Sequence, residues 1–175
     1  MGFDPMRLFL ALTPPPELRR RLGELADFAH ARCGGRRMPD ESLHLTLAFL
    51  GEVEEAQALE LAEWVQGLAI APGEWRLDGW GYFKRPGIVW VGSQASAPAL
   101  AELQHELWQG LEARGLTGRP DRFVPHVTLL RRASTSQRHD LPPIDLAWSY
   151  NQLELIQSFT DERGARYRTL AVSPG

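Results

Sequence analysis

The chain has 175 residues, 43% of them hydrophobic and 23% charged, with a net charge of −3. That length suits one domain, or one domain built of two similar lobes, with a real core, and the charge excludes an overall basic footprint for gripping long nucleic acid. A single cysteine, Cys33, excludes an internal disulfide and a cysteine-based zinc site.

The first five residues, MGFDP, read as an extension before Met6. Met6 to Thr13 is a strand-like apolar run ending in Pro14-Pro15-Pro16, and Glu17 to Arg32 follows with Leu18, Leu22, Leu25 and Phe28 at helical spacing. Cys33-Gly34-Gly35 stops that helix. From Leu43 to Val53, Leu43, Leu45 and Leu47 alternate with His44, Thr46 and Ala48, the signature of a strand with one face in a core. Glu54 to Leu68 reads as a second helix. Trp75 to Phe83 and Ile88 to Gly92 read as two strands joined by a turn at Lys84-Arg85-Pro86-Gly87. Ala97 to Arg114 is a third amphipathic helix, and Phe123 to Arg131 another strand. Ala133 to Pro143 reads as a surface loop; Leu146 to Phe159 and Tyr167 to Val172 close the chain as strands, with Asp161 to Gly164 between them. The order βαβαββαβββ predicts an α+β fold. Apolar runs are broken well before the roughly 18 residues of a membrane span, and no segment has the pattern of a signal peptide. A cytoplasmic monomer without membrane contact is expected.

The tetrapeptide His-x-Thr-Leu occurs twice, at His44 and at His126, each time inside a strand-like run. In a strand, positions i and i+2 point the same way, so His44 shares a face with Thr46, and His126 with Thr128. Two such strands facing one small volume would supply two imidazoles and two hydroxyls. Phosphodiester chemistry uses that inventory: a neutral imidazole to take a proton, an imidazolium to give one, and donors for the nonbridging oxygens. Zinc is poorly served, because there is no His-x-His, no HExxH and no cysteine set. His30, His105 and His139 read as surface residues. Arg119, Arg122, Arg131, Arg132 and Arg138 crowd around the second motif in sequence, which suits a small phosphorylated ligand or an RNA end.

On these residues the sequence resembles the 2H phosphoesterase superfamily, and within it the RNA 2′,3′-cyclic phosphodiesterases, also called 2′-5′ RNA ligases. MRLFLAL, LHLTLAFLGEV, GYFKRPGIVWVG, FVPHVTLLR and GARYRTL resemble family segments in the family order. The resemblance implies a bilobal fold with a pseudo-twofold axis, antiparallel sheets lining a central cleft and helices outside. It implies cofactor-free, metal-independent hydrolysis of 2′,3′-cyclic phosphates on RNA or nucleotide ends to 2′-phosphates. ATP-independent 2′-5′ joining would be the same chemistry run backwards. Carried over, His44 is the proton donor, His126 the proton acceptor, and Thr46, Thr128 and Arg131 hold the phosphate. Arg131 needs a bend or bulge after Thr128 to face the cleft. Phe9 and Tyr167 are the candidates for base stacking, with Phe49 and Trp90 expected in the core. Two readings compete. A nucleotidyl-lysine ligase would use Lys84 in its Lys-x-x-Gly context, but Pro86-Gly87 is better explained as a turn. A non-catalytic RNA-end binding module would keep the cleft without needing both histidines.

Overall fold

The structure is a computed structural model that describes residues 5–134, 140–162 and 164–175. Most of the expected amino-terminal extension, with Arg138, His139 and Arg163, lies outside the described residues.

The first strand, β1 (Met6–Leu12), is apolar on both faces because it is central in its sheet. Leu8, Leu10 and Leu12 enter the main core, while Phe9 and Ala11 form a small separate cluster with Ile156. Helix α1 (Pro16–Cys33) starts on prolines and ends at Gly34, whose φ of 66° a side chain would oppose. Its Leu18, Leu22, Ala26, Ala29 and Cys33 form one buried stripe. A two-residue strand, β2 (Arg36–Arg37), and a 3-10 turn at Asp40–Ser42 lead into β3 (Leu45–Val53). Then come α2 (Glu55–Gln66), β4 (Gly73–Leu77), β5 (Gly79–Phe83), β6 (Ile88–Gly92) and α3 (Pro98–Glu112). The chain closes with β7 (Val127–Arg131), β8 (Leu146–Tyr150), β9 (Glu154–Asp161) and β10 (Gly164–Val172).

The main sheet runs β10-β9-β1-β3-β7-β6-β5, with β2 beside β7, and β4 pairs β8 in a separate two-stranded sheet. Every registered pair is antiparallel. The order is symmetric about the β3–β7 seam: β9-β1-β3 on one side mirrors β5-β6-β7 on the other. Each half contains a strand–helix–strand unit, β1-α1-β3 and β6-α3-β7, so the expected pseudo-twofold is visible in the topology. The helices cross over, α1 packing on β7 and α3 on β3, so each half braces the other's histidine strand.

Three sequence expectations change. The stretch Trp75 to Phe83 is two strands, because at Asp78 the chain leaves the small sheet for the main one. Leu146 to Phe159 likewise divides at residues 151–153, where Leu153 N–H donates to Ser173 Oγ and the chain changes sheets. The second motif strand begins at Val127 and not at Phe123.

Candidate active site

Strands β3 and β7 meet at one registered pair, Leu45 opposite Val127, and both side chains are fully buried. Alternation about that pair puts His44 and Thr46, and His126 and Thr128, on the other face. All four line one cavity of about 510 Å³ at the seam, within the size range of small-molecule sites.

The two histidines are held in the same way. His44 Nδ1–H donates to the Ser42 carbonyl and His126 Nδ1–H to the Val124 carbonyl, each at 2.7 Å. In both rings this fixes the tautomer and leaves Nε2 without a proton when the imidazole is neutral. The Thr46 hydroxyl donates to His44 Nε2 at 2.7 Å when that imidazole is neutral. Burial drives the His44 pKa down from 6.5 to about 4, against the pull of the Ser42 carbonyl; the positive groups His126, Arg19 and Arg131 depress it further. Burial also lowers His126, again opposed by its carbonyl partner and assisted by Arg131. Both shifts favour the neutral imidazole.

Arg131 lines the cavity through the bulge its placement requires. Trp90 pairs with Thr128 and Val89 with Leu130, so Leu129 is an extra residue on β7. Leu129 and Leu130 both turn inward, fully buried, and Arg131 emerges on the Thr128 face. Strand β3 does the same. Leu10 pairs with Ala48 and Ala11 with Thr46, so Leu47 is the extra residue and Phe49 emerges on the Thr46 face. Phe49 and Arg131 thus occupy corresponding positions, three residues beyond each threonine.

This corrects the assignment of aromatics. Phe49, expected in the core, lines the cleft and is 48% exposed. Phe9, one of the two candidates for base stacking, lines the cavity but is only 4% exposed, with its ring stacked on His44 at 4.7 Å. Its face is occupied by the imidazole, so Phe9 supports His44 and has little surface left for a ligand. Tyr167 is edge-on to both Phe9 and His44, at 5.2 and 5.5 Å, and lines the cavity. Trp90 is half-buried and stands 5.6 Å from the His126 ring, with Phe83 edge-on to His126 at 5.1 Å. The tryptophan lies flat on Gly81, where an added Cβ would come 2.1 Å from the indole. Each histidine therefore packs against two aromatic rings that also contact each other.

The four described arginines of that crowd do not converge: Arg131 lines the cleft, whereas Arg122 lines an adjoining apolar cavity and Arg119 contacts Glu112 and His105. Arg132 is exposed and has a φ of 54°. His30 and His105 are exposed, as expected. Ser42, whose carbonyl orients His44, was not legible in the sequence. Among the described residues no group of three or more His, Cys, Asp or Glu could hold a metal ion.

The profile of the 2′-5′ RNA ligase superfamily matches residues 14–158, which include both histidine strands. The chain belongs to the 2′-5′ RNA ligase superfamily. Among its curated relatives, the RNA 2′,3′-cyclic phosphodiesterase of Escherichia coli is 35% identical over 150 residues, 84% of this chain and 82% of the relative. That of Thermus thermophilus is 34% identical, covering 94% of this chain and 88% of its own. Among solved structures, E. coli LigT complexed with 3′-AMP superposes with a TM-score of 0.81 at 28% identity, over 97% of both chains. A Thermus thermophilus structure, TT0787, gives 0.75 at 31% identity over 95% of this chain and 96% of that one. The superfamily's α+β architecture, with antiparallel sheets and three helices, is the fold described above. No helix among the described residues is long and apolar enough to cross a membrane.

Proposed function

We propose that this superfamily member is an RNA 2′,3′-cyclic phosphodiesterase, opening cyclic phosphates at RNA or nucleotide ends to 2′-phosphates without a metal. The observation that carries the reading is the pair of identically held histidines, each with a threonine beside it, on one cavity wall. The curated relatives of that name support the reaction class.

A water oxygen attacks phosphorus in line with the 3′ oxygen, and His126 Nε2 takes the water proton. The bond from phosphorus to the 3′ oxygen breaks, and that oxygen receives a proton from His44 Nε2. The products are a 2′-phosphate monoester and a free 3′-hydroxyl. Thr46, Thr128 and Arg131 hold the nonbridging oxygens as charge accumulates there. His44 must be protonated to serve as the acid, yet its pKa is about 4 in the folded chain. The bound cyclic phosphate offsets that shift, because its negative charge beside two imidazoles raises both pKa values. A 5′-hydroxyl in place of water would give a 2′-5′ linkage by the same proton transfers.

Incubation with a nucleoside 2′,3′-cyclic phosphate in excess EDTA tests the proposal. A 2′-phosphate product, lost by orders of magnitude in both His44→Ala and His126→Ala, is expected. A 3′-phosphate product would reverse the substrate's orientation. Absence of turnover on this substrate and on a cyclic-phosphate-ended oligonucleotide would replace the enzyme by a binding module.

A further inference from the structure

We propose that Arg7 and Arg36 form a second phosphate subsite beside Arg131, which takes the internucleotide phosphate of an RNA strand ending in the cyclic phosphate. The inference rests on the function proposed above and extends the substrate from a nucleotide to a strand.

The first observation is a like-charge pair. Strand β2 is registered against β7 so that Arg36 stands directly opposite Arg131. Like charges in that arrangement repel and destabilise a sheet. Among the described residues neither guanidinium has a carboxylate within ion-pair distance. The neighbouring Arg37 has the opposite arrangement. Its guanidinium is held by Asp27 and Asp40 at 2.6 and 2.7 Å and by the Gly23 and Met38 carbonyls. Alternation along β2 thus commits Arg37 to the fold and turns Arg36 to the cavity.

The second observation comes from the other half of the sheet. Arg7 on β1 is registered with Ser158 on β9, which is registered with Tyr167 on β10, and all three line the same cavity. Glu52 stands opposite Arg7 on β3, but the guanidinium lies over the Phe49 ring, 5.1 Å from its centroid, and makes no ion pair with that carboxylate. Electrostatics agree with convergence. Burial raises the Tyr167 phenol above its ordinary pKa, and the three groups opposing that rise are Arg131, Arg36 and Arg7.

The charge count points past one phosphate. Among the described residues no aspartate or glutamate lines the cavity, although the whole chain carries −3. A cyclic phosphate brings one negative charge and two nonbridging oxygens. Thr46, Thr128 and Arg131 already supply donors for those oxygens, which leaves two exposed arginines in the same cavity. The next phosphate along a strand is the ligand that would satisfy them.

The test compares an RNA tetranucleotide, 5′-hydroxyl and 2′,3′-cyclic phosphate at its ends, with a nucleoside 2′,3′-cyclic phosphate. Wild type, Arg36→Gln and Arg7→Gln are assayed across a salt series. On the tetranucleotide, kcat/KM should fall about tenfold per substitution, through KM. The slope of log affinity against log salt should become shallower by about 0.7 for each lost contact. On the mononucleotide both variants should stay within twofold of wild type. Equal losses on the two substrates, or no loss on either, would overturn the subsite. A 5′-phosphorylated cyclic mononucleotide carries the same phosphate and should respond as the tetranucleotide does; a response like that of the unphosphorylated mononucleotide would overturn the assignment of the subsite to that phosphate. Fluorescence anisotropy with a tetranucleotide ending in a 2′-phosphate gives a readout that needs no turnover. Weaker binding by both variants there, without hydrolysis by wild type, would uphold the subsite and refute the proposed enzyme.

Discussion

His44 makes the fold acid-sensitive by an amount that can be worked out. Its pKa is about 4 in the folded chain against an ordinary 6.5, mainly because burial penalises the imidazolium. Above pH 6.5 the ring is neutral in both folded and unfolded chains and contributes no pH dependence. Between 6.5 and about 4 the unfolded chain binds more protons, so stability is lost as pH falls, and the loss levels off below the folded value. At about 1.4 kcal/mol per tenfold change in proton affinity, the loss from His44 is about 2 kcal/mol at pH 5 and about 3 kcal/mol at pH 4. That is a large share of the 5–15 kcal/mol, roughly, by which domains are stable. The perturbation is His44→Asn, whose side-chain amide can still donate to the Ser42 carbonyl while having no proton to gain. Urea unfolding of both proteins at pH 7.5, 6 and 5, in phosphate-free buffer, isolates the effect because carboxylate contributions cancel in the difference. The stability of wild type relative to the variant should drop by about 2 kcal/mol between pH 7.5 and pH 5. A difference constant to within about 0.5 kcal/mol would show that the imidazole is not desolvated by the fold.

Three further outcomes are expected. The pH profile of kcat/KM, which reports the free enzyme, should be a bell displaced to the acid side of 6.5, because both histidine pKa values are lowered. The kcat bell should sit at higher pH once the phosphate anion is bound; a kcat/KM optimum above pH 7 would contradict this ordering. Thr46→Val removes the hydroxyl that donates to neutral His44 Nε2, so an NMR titration of that ring should show its pKa rising from about 4. An unchanged or lower value would mean that the hydroxyl does not donate to the neutral ring. Gly81→Ala places a methyl 2.1 Å from the Trp90 indole, and overpacking of that kind costs about 1–3 kcal/mol. Because Trp90 packs against His126, the variant should lose activity in kcat more than in KM, and a fully active variant would show that the tryptophan does not position the histidine.

Local pattern and long-range pairing were not equally legible. Alternation at Leu43 to Leu47 disclosed the histidine face, since a period of two needs only neighbouring residues. Helices α1 and α3 were legible for the same reason, each having one apolar stripe. The split at Asp78 was not, because both pieces are apolar and only distant partners decide which sheet each joins. The bulges at Leu47 and Leu129 lie inside continuous apolar runs, where the extra residue leaves no break in the pattern. Resemblance points to Arg131, whereas nothing within the apolar run marks Phe49. Aligning LTLAF with VTLLR would have set Phe49 in the place of Arg131 and moved it from core to cleft. Ser42 acts through its carbonyl, which every residue has, so no side-chain signal could mark it.

The seam between β3 and β7 has the symmetry of two copies of one strand–helix–strand unit facing each other, each bracing its counterpart through a crossed helix. Two identical polypeptides meeting in this way would present two phenylalanines or two arginines beyond the threonines, and the same surroundings to each histidine. Joining the units in one chain removes that constraint. Phe49 and Arg131 can differ, Phe9 can back one imidazole while Trp90 backs the other, and Arg36 can be added beside one motif alone. A cleft that is twofold in its backbone can thus be unequal in its side chains, as a reaction with an entering and a departing oxygen requires.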